Sequence, residues 1–336
     1  MKKFFNLFII FLTLLFAVLW LRTTHQQSAE SKIFIKYWYG REGQQFGVPG
    51  ITQPWVNILG NITGDHAIQK CSYSLNSGPV SNIRIDRQNR LADDGDFNIQ
   101  IYKDNIPAGS NTITVFAEDT DGNKTQKQVS FAYQPNNRWP LPYSINWNTV
   151  KKIQSVVQIV DGKWNLSNGG LTNHLSAYDR LFCIGDTSWK NYQVMLVVLP
   201  HSSTGLLSIG LRWKGHYQTE DELSPYVGWN NCGASGWYSL HENKLSFQYI
   251  KGGKKNKEDT IVEISPREPL WWKLKVETIP GKGYLYSQRM WPVGDEEPDW
   301  WLTVLEGPDP KYSSGSIYFL SHMSQVTFGY IEVTGL

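Results

Sequence analysis

The sequence predicts an all-β protein in which an N-terminal hydrophobic helix precedes two β-sandwiches. Two observations carry the sandwiches. Short apolar or alternating runs recur along the chain, broken by Gly, Pro, Asn and Asp, as strands and turns are. From about residue 148 onward no stretch holds a 3.6-residue apolar period with caps. The helix rests on the run Phe4–Leu21, interrupted only by Asn6 and Thr13. At 336 residues, 14% aromatic and 18% charged, the chain has ample core-forming side chains and is not intrinsically disordered. A net charge of +2 leaves no electrostatic footprint for nucleic acid and no polybasic lipid-binding surface.

The apolar run follows Met1-Lys2-Lys3 and is about 27 Å long as a helix, close to the hydrocarbon thickness of a bilayer. Residues 22–29 carry no small-x-small cleavage site, and Gln27-Ser28-Ala29 is bulky at its first position. No Cys lies nearby to take a lipid anchor. Residues 1–30 therefore read as an uncleaved signal anchor, with a cleaved signal peptide and secretion as the alternative. Two lysines before the run and one arginine after it favour an N-in orientation. In both cases the rest of the chain lies outside the cytoplasm. There, Cys183 and Cys232 either form a disulfide or, with Cys71, are three buried free thiols.

Residues 33–133 read as short strands, among them Trp55–Leu59, Cys71–Leu75 and Phe97–Ile101. Thr112–Ala117 and Gln128–Tyr133 alternate on either side of Asp119-Thr120-Asp121-Gly122-Asn123, the pattern of a hairpin. About a hundred such residues fit an immunoglobulin-like sandwich without its disulfide. Asp119, Asp121 and Asn123 alternate like the start of a calcium loop. Gly122 is misplaced for one and no Glu closes it, so a plain turn is the better reading. Calcium is not expected elsewhere either, since Asp179 and Asp186 read as turn caps near Trp189. Gly109-Ser110-Asn111-Thr112-Ile113-Thr114-Val115, with Ala117-Glu118-Asp119 and Asp121-Gly122-Asn123, resembles the close of bacterial surface immunoglobulin-like domains.

Residues 134–147, with Pro135, Pro140 and Pro142, read as a short semi-rigid linker. Residues 148–336 hold most of the Trp and many strands, which fits a double-sheet jelly roll. Tyr192–Leu199 is almost continuously apolar and reads as a strand buried on both faces. Tyr178–Val194, with Asp186, Trp189, Asn191, Tyr192 and Val194 at its turn and second strand, resembles the strand–turn–strand of concanavalin A-like lectin/glucanase domains. Gly236-Trp237-Tyr238, Trp271–Val276 and Phe328–Val333 follow in the order that laminin-G-like sandwiches use. The resemblance implies a fold rather than an activity.

The Glu-x-Asp-x-x-Glu strand of glucanases on that fold is missing from the sequence. Glu220-Asp221-Glu222 and Asp295-Glu296-Glu297 adjoin prolines and lack alternation, so they read as loops. Non-catalytic recognition of a glycan or cell-surface ligand is therefore the leading expectation. A hydrolase or lyase with another arrangement of carboxylates is one alternative, and an adhesive protein with a protein partner is a second. No cofactor is implied. Sugars are held by aromatic faces and by polar groups at the hydroxyl rim. Alternation sets Arg212 opposite Leu207, Ile209, Leu211 and Trp213, and groups Leu285, Ser287, Arg289 and Trp291. The expected ligand face therefore comprises Arg212, His216, Tyr217, Trp237, Tyr238, Arg289 and Trp291. The competing roles are core packing for the aromatics and cross-sheet ion pairs for the arginines.

Overall fold

The computed structural model describes residues 32–40, 44–167, 169–217, 231–251, 254–263 and 267–336. The anchor segment 1–30 and Glu220-Asp221-Glu222 lie outside the described residues. Among the described residues, strands dominate and no helix is long and apolar enough to cross a membrane.

A three-stranded sheet of Ile33–Tyr37, Trp55–Gly64 and Asp96–Tyr102 packs on a five-stranded sheet. The latter runs Gln44–Phe46, Lys124–Tyr133, Gly109–Asp119, Ile68–Leu75, Val80–Asn82, its first pair parallel. Alternation turns Ile113, Val115 and Ala117 inward against Val56, Ile58, Phe97 and Ile99. The hairpin pairs Gly109 with Tyr133 through to Glu118 with Lys124. At its tip Asp119 Oδ1 accepts from the backbone N–H groups of Asp121 (3.0 Å) and Asn123 (2.9 Å). The acidic turn thus uses its own carboxylate to close itself.

The second sandwich pairs a seven-stranded sheet with an eight-stranded one. The first runs Gln158–Asp161, Arg180–Ile184, Ser316–His322, Leu206–Trp213, Ala234–Ser239, Lys244–Lys251, Lys254–Ile261. The other runs Trp164–Ser167, Gly170–Asn173, Val326–Gly335, Tyr192–Pro200, Leu270–Ile279, Gly283–Pro292, Leu302–Glu306. Its eighth strand, Tyr143–Ile145, pairs with Val326–Gly335. Leu207, Ile209, Leu211 and Phe319 meet Val194, Leu196, Trp272 and Leu274 between the sheets. Each such fully buried side chain contributes roughly 1.5–3 kcal/mol.

Two expectations change here, and one open alternative is decided. Tyr192–Pro200 is not buried on both faces: Val194, Leu196 and Val198 are inside, while Gln193, Met195 and Val197 are half-buried outside. The segment read as a linker is no free spacer. Trp139 is buried in the second core and Tyr143–Ile145 is a sheet strand, because burying these apolar side chains outweighs their freedom in an extended linker. All three cysteines are free and buried, with Cys183 and Cys232 in one cluster on the outer side of the seven-stranded sheet.

The two sandwiches are fastened together. Asp161, buried in the seven-stranded sheet, takes Arg90 Nε at 2.6 Å, Asn98 Nδ2 at 2.8 Å and His216 Nε2 at 3.3 Å. Burial alone would raise its carboxyl pKa, but Arg90 and His216 outweigh that and hold it below the ordinary value. Tyr39 and Leu59 from the first sandwich join the second core. The Tyr39 hydroxyl accepts from Trp164 N–H (2.7 Å) and donates to Gly162 O (3.2 Å). Tyr39→Phe keeps the ring but strands both groups, so denaturant unfolding should show a loss of about 1–3 kcal/mol. An unchanged midpoint would mean that water replaces the hydroxyl.

Candidate functional site

The seven residues expected to form one ligand face lie in separate layers. Arg212 is fully buried. The strand pairing slips between Leu211 and Trp213, and Arg212 adopts φ 54° at that point. This one-residue bulge reverses the alternation, so Trp213 joins the outer cluster while the Arg212 side chain turns inward. There it donates to Lys190 O (3.0 Å), Tyr312 O (3.0 Å) and Thr278 Oγ1 (2.9 Å), and lies 4.2 Å from the Tyr284 ring centre. Arg212 is a core arginine.

Tyr238 is also core, its hydroxyl within hydrogen-bond reach of Asn243 Oδ1 (3.0 Å) and Val262 O (3.2 Å). Trp237 points to the other side of the same sheet, buried with Trp213 and Tyr318 and donating to Ser235 Oγ. Arg289 and Trp291 lie on the far side of the eight-stranded sheet, since Met290 between them faces the core. Arg289 stacks 4.0 Å from the centre of Trp301 and pairs with Glu297, which also binds Lys273 at 2.8 Å. Asp295-Glu296-Glu297 thus belongs to a loop latched onto that sheet. His216 is buried against Asp161; burial first, and Arg90 second, lower its pKa and keep the imidazole neutral. Tyr217 is exposed, with Lys311 Nζ 5.0 Å from its ring centre.

One partly accessible indole, that of Trp38, lies where the two sandwiches meet. Trp38 follows the edge strand Ile33–Tyr37 and is half-buried. It walls two clefts. The larger, of about 610 Å³, runs from Trp38 and Gln45 to Gln154, Asn165 and Leu166, with Lys151 and Lys152 also on its lining. The smaller, of about 210 Å³, carries Lys36, Asn61, Asp93, Lys163 and His174. Asn165 Nδ2 lies 3.2 Å from His174 Nδ1, bringing polar groups of the two clefts together. Asp161 and Tyr39 fasten the two sandwiches to each other, so the groove is largely preformed.

Sequence reasoning missed this groove. The local signal was the run Tyr37-Trp38-Tyr39-Gly40 at a strand end, where alternation stops; in the fold Trp38 packs half-buried against the second core. Its partners Gln154 and Asn165 are more than a hundred residues away and carry no motif.

No family model matches the chain, and no curated protein is detectably similar to it in sequence. Several solved structures align with the chain at low TM-score. One is the Caenorhabditis elegans galectin LEC-6, at 10% identity over 46% of this chain and 89% of that chain, with a TM-score of 0.30. A structure of carbohydrate-binding modules from the β-sandwich superfamily matches at 9% identity over 92% and 98%, TM-score 0.21. A third, the Bacteroides ovatus mixed-linkage glucan utilization protein SGBP-B with a heptasaccharide, matches at 10% over 88% and 95%, TM-score 0.19. Likeness at this level does not extend to a shared site.

Proposed function

We propose that the chain is an extracytoplasmic, non-catalytic glycan-binding protein, held at a cell membrane by residues 1–30. In this reading an immunoglobulin-like sandwich and a concanavalin A-like sandwich act as one rigid body and bind sugar along their seam. The observation that carries it is Trp38, a half-buried indole shared by the two clefts. An indole face covers the C–H face of a sugar ring, while the amides of Gln45, Asn165 and Asn61 suit a hydroxyl rim. The larger cleft, at about 610 Å³, is in the range that holds a small ligand. Amides, lysines and an indole along its walls are groups that hold sugars rather than shuttle protons between two carboxylates.

The test is a glycan array probed with the full-length chain in mild detergent, with calcium and with chelator. A defined set of hits is expected, and Trp38→Ala should weaken it by about tenfold or more. Trp237→Ala and Arg289→Ala should leave binding in place, because those side chains lie on other surfaces. An array that stays blank with folded protein would overturn the reading in favour of a protein partner.

A further inference from the structure

We propose that the smaller cleft is a subsite for one N-acetylated sugar ring, recognised through its acetamido group; this rests on the glycan reading of the groove. At about 210 Å³ the cleft is sized for one ring rather than a chain. On its lining lies Arg180, only 2% exposed. The Arg180 Nε donates to Tyr178 O (3.0 Å), and Nη2 to Asn89 O (2.7 Å), Arg90 O (3.1 Å) and Tyr178 O. Nη1 has no acceptor among the described residues, and it is not one of the unpaired nitrogens sealed from solvent, as Arg90 Nη2 is. A guanidinium anchored through two nitrogens thus keeps the third for a ligand acceptor.

The complementary acceptor is Asp93, whose side chain is exposed on the same lining and makes no hydrogen bond among the described residues. The turn that carries it is fixed. Asp96 Oδ2 accepts from Asp93 N–H (3.1 Å), Asp96 Oδ1 from Asn61 Nδ2 (2.9 Å), and Asp93 O from Asp96 N–H (3.2 Å). Asp96 is spent on holding that turn, which leaves Asp93 as the open carboxylate. Ala92 and Leu175 add apolar surface to the lining, and Trp38 walls it. A secondary amide offers one carbonyl acceptor, one N–H donor and one methyl group, which Arg180 Nη1, Asp93 and the Ala92–Leu175 surface meet in turn. A hydroxyl in its place spans a shorter distance and brings no methyl. Lys36 and Lys163 stand on the lining with Asp93 and Asp96, and this mixture of signs suits a neutral dipole better than a free acid or amine.

Two matched pairs of probes test this: N-acetylchitotriose against cellotriose, which differ by an acetamido group in place of a hydroxyl on each ring, and N-acetylgalactosamine against galactose for the other C4 epimer. In calorimetric titration of the full-length chain in mild detergent, the acetylated member of at least one pair should bind at least about tenfold more tightly. Raising ionic strength from about 0.05 to 0.5 M should leave that preference in place, because both members are neutral. Asp93→Ala should bring the acetylated probe down to the level of its hydroxyl partner, with a melting temperature near that of the wild type. A merely structural loss would weaken both probes alike. Ala92→Leu, which fills the space of the methyl group, should do the same. Equality or silence in both pairs would overturn the acetamido selection, and so would an acetyl preference that both variants retain. Tightest binding of the deacetylated glucosamine trimer would overturn it too, the carboxylates then reading an ammonium. In each of these cases array hits weakened by Trp38→Ala leave the glycan reading standing. A blank array would remove both.

Discussion

Arg212→Ala is expected to cost about 3–5 kcal/mol and to leave little folded protein at room temperature. The guanidinium is fully buried at one end of the second sandwich, where water cannot replace it. It donates to the carbonyls of Lys190 and Tyr312, to Thr278 Oγ1 and to Asn191 Oδ1, and stacks on Tyr284. Truncation strands these acceptors in a dry space and opens a cavity beside a packed ring. Arg212→Lys should recover only part of the loss, because one ammonium cannot reach acceptors arranged for a planar fork. Urea unfolding of the three proteins decides the matter. A loss below about 1 kcal/mol for the alanine variant would mean that the cost of burying the charge nearly equals its bonding. Because Arg212 does not line the groove, any folded fraction should give the same glycan-array result as the wild type.

The second large effect is a pH-dependent one at Glu306. This carboxyl is 3% exposed, faces the Tyr286 hydroxyl, and its Oε2 has no hydrogen-bond partner among the described residues. Burial is the main cause that pushes its pKa up from 4.5 to about 8, Asp309 adds to it, and Tyr286 and Arg212 only partly oppose it. The folded state therefore holds a proton that the unfolded chain releases. Its contribution to stability is complete below pH 4.5 and is lost as pH climbs through 8. At about 1.4 kcal/mol per pH unit over that window, the loss is roughly 3–5 kcal/mol. Glu306→Gln keeps the shape and removes the titration. It should melt near the wild-type temperature at pH 4.5 and clearly above it at pH 9. Parallel melting curves across that range would show that Glu306 ionises inside without penalty.

Both effects arise from polar groups that the sequence places on strands but not in layers. Period-two alternation sorts side chains correctly while the register is unbroken, as at Ile113, Val115 and Ala117 or at Trp272 and Leu274. A single bulge at Leu211–Trp213 exchanges the faces, and nothing in Leu206–Trp213 announces it. Tertiary packing chose the register there, putting Trp213 against Tyr318 and Arg212 against Tyr284. Trp237 and Tyr238 show the same limit. Their neighbours in sequence say that they sit on opposite faces, but not that both faces are buried.

What the sequence determined by itself was local: an all-β chain, the hairpin of Gly109–Tyr133 with its Asp119 turn, and alternating strands rich enough in Trp and Leu to form cores. These depend on a few adjacent residues, whose turn geometry and side-chain alternation act within a handful of positions. Only the tertiary structure decided that Trp139 and Tyr143–Ile145 enter the second sandwich, that Arg212 turns inward, and that Trp38 meets Gln154 and Asn165 across a seam. Those outcomes depend on which surfaces exclude water from one another after the strands have formed. That competition is settled between segments more than a hundred residues apart, by total burial rather than by any local pattern.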